Sequence, residues 1–260
     1  MNVMAPPRTI ALGEHRLNRI GLGTNRLTDT AESRSFLEAA VGAGLDFIDT
    51  AHLYTGGESE STIGAALAPF PEEVLVATKG GYHPGGGSEG LRAELEQSFE
   101  RLRTETISLY YLHRVDPDVP LEETMRVLKE YVDAGRVAHV GLSEVSVEQI
   151  QRAQAVTPIS AVQNEYSLAQ RMHDDVVDHC DAESIVFVPF YPLRGDSRTV
   201  SEIAERRRVT PNQIRLAWLL HRSPCVLPIP GTLSLEHLRE NRAAVDIELS
   251  PEDLEALNAA

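Results

Sequence analysis

The sequence predicts an α/β fold, a (β/α)8 or TIM barrel, with an N-terminal β-hairpin plugging the bottom of the barrel. Short apolar runs alternate along the chain with longer amphipathic stretches, as strands and helices do in a parallel sheet. Eight such apolar runs occur, and 260 residues is close to the usual length of an eight-stranded barrel. No linker or fixed-period repeat interrupts the chain, so we predict one domain over residues 1–260.

The predicted elements follow one another in a regular order. The hairpin comes first, with strands at Arg8–Leu12 and His15–Arg19. The eight barrel strands are predicted at Arg19–Leu22, Phe47–Asp49, Val74–Thr78, Ile107–Leu112, Ala138–Gly141, Ala161–Gln163, Val186–Pro189 and Val226–Ile229. Helices are predicted at Ala31–Ala43, Ser59–Leu67, Leu91–Leu102, Leu121–Ala134, Val147–Ala155, His173–His179, Val200–Arg207, Pro211–His221, Leu235–Asn241 and Pro251–Asn258. Gly44 and Gly135 follow two of these helices, where a left-handed cap favours glycine.

Charge and composition exclude several classes of protein. The formal net charge is -15, which repels a nucleic-acid backbone. No apolar run approaches the roughly 20 residues that span a bilayer, and the first residues lack the features of a secretion signal. The two cysteines, Cys180 and Cys225, lie in apolar contexts typical of buried free thiols. We therefore expect a cytoplasmic protein with no nucleic-acid or membrane partner. We also expect it to be a monomer, although neither charge nor composition determines the oligomeric state.

Four polar residues lie at or just after the ends of predicted strands, where parallel barrels carry their catalytic side chains. Asp49 ends the second strand and Tyr54 follows it, Lys79 ends the third strand, and His113 ends the fourth. Singly, each has a structural explanation, as a helix cap, a packed ring, a solvated lysine or a structural histidine. Together on one rim, they indicate an active site.

These four side chains suit the reduction of a carbonyl group. A proton must reach the carbonyl oxygen as negative charge develops there, and Tyr54 is the predicted donor. The Lys79 ammonium would favour the phenolate and make Tyr54 a better acid, while Asp49 would hold Lys79 charged and aimed. His113 would orient the carbonyl. No side chain supplies a hydride, so the hydride requires a cofactor.

At these residues the sequence resembles the aldo-keto reductases, and it has the complete Asp, Tyr, Lys and His tetrad of that family. The resemblance covers essentially the whole chain and is closer to bacterial members than to vertebrate steroid and aldose reductases. It is carried by residues 44–51 (GLDFIDTA) with Tyr54, 77–79 (ATK), 109–113 (LYYLH), 140–143 (VGLS), 162–168 (VQNEYSL), 189–193 (PFYPL) and 229–232 (IPGT).

The resemblance implies an NADP-dependent oxidoreductase that reduces aldehydes or ketones to alcohols. Ser143 and Gln163 would hydrogen-bond the nicotinamide carboxamide, and Phe190 would stack on the nicotinamide ring. Further cofactor contacts would lie at Gly23, Thr24, Leu193, Gly195, Gly231, Thr232, His237, Glu240 and Asn241. The substrate would be a small carbonyl compound, and some relatives of this type are linked to pyridoxal reduction.

Three positions depart from the pattern of the family. Glu144 replaces the usual Asn after the serine, which alters one carboxamide contact. Gly231 and His237 stand where many NADPH-using members carry Lys and Arg, although Arg239 or Arg242 offers a replacement for that charge. NADPH remains favoured on family grounds because no dedicated acidic ribose ligand is evident, and NADH is the alternative.

Other functions are weighed against this one. A nicotinamide-binding redox sensor or regulatory subunit with little turnover is the principal alternative, and the intact tetrad argues against it. An aldolase would use Lys79 as a Schiff base, which requires a neutral lysine, whereas Asp49 would keep it protonated. The nine histidines include no HExxH pair or close ligand cluster, so no metal site is predicted.

Two features near the tetrad have open roles. His52 either contacts the substrate or is structural. The glycine-rich loop Gly81–Gly87 either closes over the substrate or is a flexible turn.

Overall fold

The computed structural model describes residues 6–82, 87–195 and 197–259. It begins with an antiparallel hairpin of β1 (Thr9–Leu12) and β2 (His15–Asn18), in which Leu12 pairs with His15. Both strands have the predicted positions, each shorter by one residue. Leu12 and Leu17 are buried and pack against the apolar side chains inside the barrel, so the hairpin plugs it as predicted.

Seven parallel strands form a curved sheet in which each strand pairs with its neighbours in the sequence. This order is expected when every strand is joined to the next by a helix on the outside of the sheet. The strands are β3 (Leu22–Gly23), β4 (Phe47–Asp49), β5 (Leu75–Gly80), β6 (Ile107–Leu112), β7 (Val137–Ser143), β8 (Ala161–Gln163) and β9 (Val186–Phe187).

Ten helices connect and follow the strands in the described residues. Six of them have an N-cap Ser or Thr whose side chain accepts a backbone N–H, and three of these, at Ser146, Thr210 and Ser250, are capping boxes. The helices are α1 (Ala31–Gly42), α2 (Glu58–Leu67), α3 (Gly87–Leu102), α4 (Leu121–Asp133), α5 (Val147–Gln154), α6 (Asp174–Ala182), α7 (Arg198–Arg207), α8 (Pro211–Arg222), α9 (Leu235–Ala243) and α10 (Pro251–Asn258).

The eighth predicted strand, Val226–Ile229, is not a regular strand. Pro228 and Pro230 lack the backbone N–H that a ladder requires. Residues 226–231 are nevertheless bridged to both edges of the sheet, to β9 through Phe187 and to β3 through Gly23. The N–H of Leu227 donates to Phe187 O at 2.8 Å, and the N–H of Gly21 donates to Pro228 O at 3.0 Å. This closing segment (residues 226–231) therefore completes the barrel.

The first barrel strand begins at Leu22 instead of Arg19 because the backbone N–H of Arg19 still belongs to the hairpin, where it donates to Arg8 O at 3.3 Å. Arg19 is 1% exposed, and its guanidinium donates to the carbonyl oxygens of Leu220, Ser223 and Val226 at 3.2, 2.6 and 3.0 Å. These carbonyls belong to the C-terminal end of α8 and to the closing segment. Arg19 thus joins the start of the barrel to its end.

Successive side chains of each strand point to opposite faces of the sheet, so the apolar side chains form two separate clusters. One cluster lies inside the barrel and includes Phe47, Leu75 and Tyr111, and the other lies between the sheet and the helices. Cys180 and Cys225 are both buried free thiols, as predicted. Within the described ranges, no helix is both long enough and apolar enough to cross a membrane.

Candidate active site

The candidate active site lies at the carboxyl end of the barrel because the inward faces of the strands change from apolar to polar there. In β4, Phe47 faces inward, and so does Asp49 two residues later. In β5, Leu75 and Ala77 are followed in the same alternation by Lys79. Leu109 and Tyr111 lead in the same way to His113, Gly141 to Ser143, and Ala161 to Gln163.

Lys79 lies at the centre of the polar group and is fully buried. Its Nζ donates to Asp49 Oδ2 at 2.7 Å, to Thr50 O at 2.7 Å and to Tyr54 Oη at 3.1 Å. Three acceptors use all three hydrogens of an ammonium group. Burial alone would lower the pKa of Lys79, but Asp49 and Tyr54 more than offset this, so its pKa is raised and the lysine remains charged.

Tyr54 is held over Lys79 by an irregular turn, Tyr54–Gly57, between β4 and α2. Thr55 adopts a left-handed φ of 50° and donates from Oγ1 to Leu27 O at 2.8 Å. Gly57 has a φ of 96°, and a Cβ there would lie 2.4 Å from the Arg101 guanidinium carbon. The turn therefore requires glycine at this position and fixes the direction of the phenol.

The pKa of Tyr54 differs from the sequence-based expectation. Burial raises the pKa of the phenol, and the nearby Lys79 charge lowers it without cancelling the effect of burial. The pKa is therefore above its usual value, whereas the sequence argument considered the lysine alone. The phenol of Tyr54 is therefore protonated throughout the neutral range, and the Lys79 charge makes the loss of that proton less unfavourable than burial alone would.

His113 and two aromatic rings complete the wall beside Tyr54. The Tyr54 and His113 ring centroids are 6.1 Å apart, and the Tyr82 ring packs against the other side of His113 at 4.9 Å, edge to face in both cases. The structure thus brings all four predicted catalytic residues together at one rim. Their chemical roles remain predictions.

The residues open into one large cavity of about 800 Å3, which is within the range of ligand-binding pockets. Eight of the twelve predicted cofactor residues line it, namely Gly23, Thr24, Ser143, Gln163, Phe190, Leu193, Gly231 and Thr232, together with Asp49, Tyr54 and His113. Sequence reasoning did not select several other lining residues, which include Asn25, Arg26, Leu27, Leu53, Arg114, Tyr191, Arg194 and Leu233. Most of them immediately follow or precede a predicted site residue.

Four predicted cofactor residues lie outside the lining of this cavity, and they remain predictions. Gly195 accepts a hydrogen bond from Arg215 Nε through its carbonyl at 2.7 Å. Glu240 accepts from Thr210 Oγ1 at 2.6 Å, which ties it to the N-terminus of α8. His237 is exposed in the first turn of α9, and Asn241 is buried in the same helix.

Glu144 adopts a left-handed φ of 56°, a conformation that Asn tolerates better than Glu. Its Oε1 accepts a hydrogen bond from the Glu165 backbone N–H at 2.6 Å, and Glu144 does not line the cavity. Glu144 therefore links the end of β7 to the segment after β8 through this hydrogen bond. Its side chain makes no contribution to the cavity wall.

His52 faces α3 and does not line the cavity. Its Nε2 lies 3.0 Å from Gln97 Oε1, and its Nδ1 lies 4.0 Å from Glu94 Oε1. This geometry favours the structural alternative for His52. Of the Gly81–Gly87 loop, residues 83–86 lie outside the described residues, whereas Tyr82 lines the cavity. Across residues 6–82, 87–195 and 197–259, no group of His, Cys, Asp and Glu is arranged to hold a metal ion.

Comparison with known proteins identifies the family of this chain. The family model described as the aldo/keto reductase family matches residues 19–199 and 194–260. The pyridoxine 4-dehydrogenase of Escherichia coli is 34% identical over 96% of this chain and 97% of its own length.

Two solved structures are also similar. A thermostable aldo-keto reductase in complex with the inhibitor epalrestat has a TM-score of 0.89 and 32% identity, covering 96% of this chain and 98% of its own. An aldo/keto reductase from Klebsiella pneumoniae, solved with NADP and acetate, has a TM-score of 0.86 and 31% identity, covering 97% and 94%. The fold, the match along the whole barrel and these relatives lead to one conclusion: the chain belongs to the aldo/keto reductase family.

Proposed function

We propose that this protein reduces aldehyde or ketone carbonyls to alcohols with NADPH, using Tyr54 as the general acid. The observation that carries the proposal is the hydrogen bond of 3.1 Å from the buried Lys79 ammonium to Tyr54 Oη. A charged donor at that atom stabilises the phenolate that remains after proton transfer. The Klebsiella pneumoniae relative, solved with NADP, supports the choice of cofactor.

The cavity fits a nicotinamide carboxamide on chemical grounds. Ser143 Oγ accepts a hydrogen bond from Arg114 Nη1 at 3.0 Å, so its own hydrogen is directed elsewhere and can donate to a carboxamide oxygen. Gln163 Nε2 donates to Asp49 Oδ1 at 2.7 Å. Its Oε1 has no partner among the described residues and can accept from a carboxamide NH2. One donor and one acceptor side by side match a primary amide.

Each of the four catalytic residues has a separate role in the proposed reduction. A reduced nicotinamide held by Ser143 and Gln163 would supply the hydride to the carbonyl carbon. Tyr54 Oη transfers its proton to the carbonyl oxygen, which yields the alcohol and a phenolate beside Lys79. Asp49 keeps Lys79 protonated, and His113 donates a second hydrogen bond to the same oxygen. The phenolate regains its proton from solvent before the next turnover.

The substrates that we propose to test are suggested by the size of the cavity, about 800 Å3, and by one relative. The Escherichia coli relative is a pyridoxine 4-dehydrogenase, so pyridoxal is a candidate substrate for this chain. We also propose that the enzyme acts as a cytoplasmic monomer.

A panel of aldehydes, ketones and pyridoxal, each assayed with NADPH and with NADH, tests the proposal. We expect turnover of several aldehydes and a higher kcat/KM with NADPH. Quenching of cofactor fluorescence without turnover of any carbonyl would instead support the redox sensor. Borohydride trapping of a carbonyl compound on Lys79 would support the aldolase.

A further inference from the structure

Arg114 is a charged side chain in the substrate cavity whose part in the proposed reduction is limited to its hydrogen bond with Ser143. It follows His113 directly, lines the cavity, and is half-buried. Its Nη1 donates to His113 O at 2.5 Å and to Ser143 Oγ at 3.0 Å, and the guanidinium lies 5.4 Å from the centre of the Tyr82 ring. These contacts fix the orientation of the guanidinium at the wall of the cavity.

The opposite edge of the guanidinium, formed by Nε and Nη2, has no hydrogen-bond acceptor in the described residues. No carboxylate in residues 6–82, 87–195 or 197–259 forms an ion pair with Arg114. The Nε and Nη2 hydrogens point in parallel and match the two oxygens of a carboxylate. Because the guanidinium is fixed by its other contacts, this edge can bind an anion without reorienting.

The charge of the cavity contrasts with that of the protein. The whole chain carries a formal charge of -15. The described cavity lining contains three arginines, Arg26, Arg114 and Arg194, and one carboxylate, Asp49, which is paired with Lys79. Arg194 is paired with Glu165. A cavity of this sign in an acidic protein concentrates anionic ligands.

The position of Arg114 in the barrel favours the substrate over the cofactor phosphates. The predicted cofactor residues lie at the ends of β3, β7, β8 and β9 and in or after the closing segment. Tyr54, Tyr82 and His113 follow three other strands, β4, β5 and β6, which are consecutive in the sheet. Arg114 also follows β6, and it touches Tyr82 and His113. It therefore belongs to the wall where the proton donor lies.

We propose that Arg114 determines substrate specificity by binding a carboxylate on the carbonyl substrate, so that the preferred substrates are aldehydes or ketones that also carry a carboxylate. This inference rests on the proposed carbonyl reduction. The carboxylate pairs with the free Nε and Nη2 edge while the carbonyl oxygen lies between Tyr54 and His113. The chemistry of the reaction is unchanged.

A matched pair of aldehydes tests the inference, namely 4-carboxybenzaldehyde and its neutral ester, methyl 4-formylbenzoate. We expect the wild type to have the higher kcat/KM with the carboxylate. Arg114→Met should lower the ratio of the two kcat/KM values about 10- to 100-fold, as expected for a lost charged hydrogen bond. Arg114→Lys keeps the charge without the fork and should give an intermediate ratio.

Arg194→Met is the matched control because it removes the same charge from the same cavity lining, and it should leave the ratio near that of the wild type. Equal kcat/KM values of the two aldehydes with the wild type would overturn the inference. So would an equal loss on both aldehydes with Arg114→Met, or a similar change of the ratio with Arg194→Met.

A binding measurement separates this inference from the reduction itself. If neither aldehyde is turned over, the proposed function fails, and calorimetric titration of both compounds into the protein still tests Arg114. Tighter binding of the carboxylate, lost in Arg114→Met, would support the anion site. Equal binding of the two compounds would refute it.

Discussion

Replacing Lys79 with Met tests whether the Lys79 ammonium lowers the barrier to the proposed proton transfer from Tyr54. The substitution removes an ammonium that is buried and lies 3.1 Å from Tyr54 Oη and 2.7 Å from Asp49 Oδ2. Methionine has a similar volume, so the apolar packing around the side chain is largely kept. The loss of charge is the main perturbation.

The size of the effect follows from the geometry. At 3.1 Å and an effective dielectric constant of about 20, an ammonium and a phenolate attract each other by about 5 kcal/mol. If about half of the phenolate charge has developed in the transition state, the lost stabilisation is about 2.5 kcal/mol, which corresponds to a roughly 100-fold lower kcat. The pKa of Tyr54 rises further because the Lys79 charge that lowers it is lost.

The assay is kcat at saturating aldehyde and NADPH, with thermal melts to confirm that the variant is folded. The double variant Asp49→Asn/Lys79→Met is the control, because it removes the buried carboxylate that the single variant leaves without its partner. Its kcat should also be low, while its stability should exceed that of Lys79→Met. A raised KM with unchanged kcat would refute the reasoning.

Three further predictions follow from individual contacts. Burial raises the pKa of Tyr54, and a general acid acts in its protonated form, so kcat for reduction should stay level up to a pH of about 10. Alcohol oxidation needs the phenolate, so its kcat should still be rising at that pH. A fall in kcat for reduction near pH 8 would contradict this prediction. Arg19→Met should lower the free energy of unfolding by about 3 kcal/mol in denaturant titrations, because three buried carbonyls lose their donor. Glu144→Asn should stay within about 1 kcal/mol of the wild-type stability, since relief of the left-handed φ offsets the lost bond to Glu165, and a loss above about 3 kcal/mol would show that this bond matters more.

The sequence was most informative about the site where strand periodicity applies. Because side chains alternate, Asp49 and Lys79 had to share the inner face with Phe47 and Leu75. Their convergence at one rim then follows from parallel strand order. The family resemblance is confirmed by the family model, and it extends along the whole barrel.

The sequence was less informative about the bounds of two predicted strands, because apolar patterning alone does not determine backbone pairing. Val226–Ile229 was predicted as a strand from its apolar residues, but the two prolines reduce its pairing to isolated bridges. Arg19 was assigned to a strand, although its side chain is engaged with backbone carbonyls more than 200 residues away in the sequence. Such long-range contacts leave no periodic signal.

Two features of the cavity required three-dimensional geometry. Arg114 follows His113 in the sequence, yet its free edge is visible only when its contacts with Ser143 and Tyr82 are known. The pKa of Tyr54 likewise depends on burial, which reverses the direction expected from Lys79 alone. In both cases the sequence identifies the residue type, whereas its contacts and burial are known only from the structure.

The most direct test of the central claim is single-turnover oxidation of bound NADPH by a saturating aldehyde in Tyr54→Phe. Removing the phenol oxygen deletes the proposed proton donor and leaves the ring in place. We predict that the rate of NADPH oxidation falls about 100- to 10,000-fold while the dissociation constant of NADPH stays near that of the wild type. A rate equal to that of the wild type would contradict the assignment of Tyr54 as the general acid.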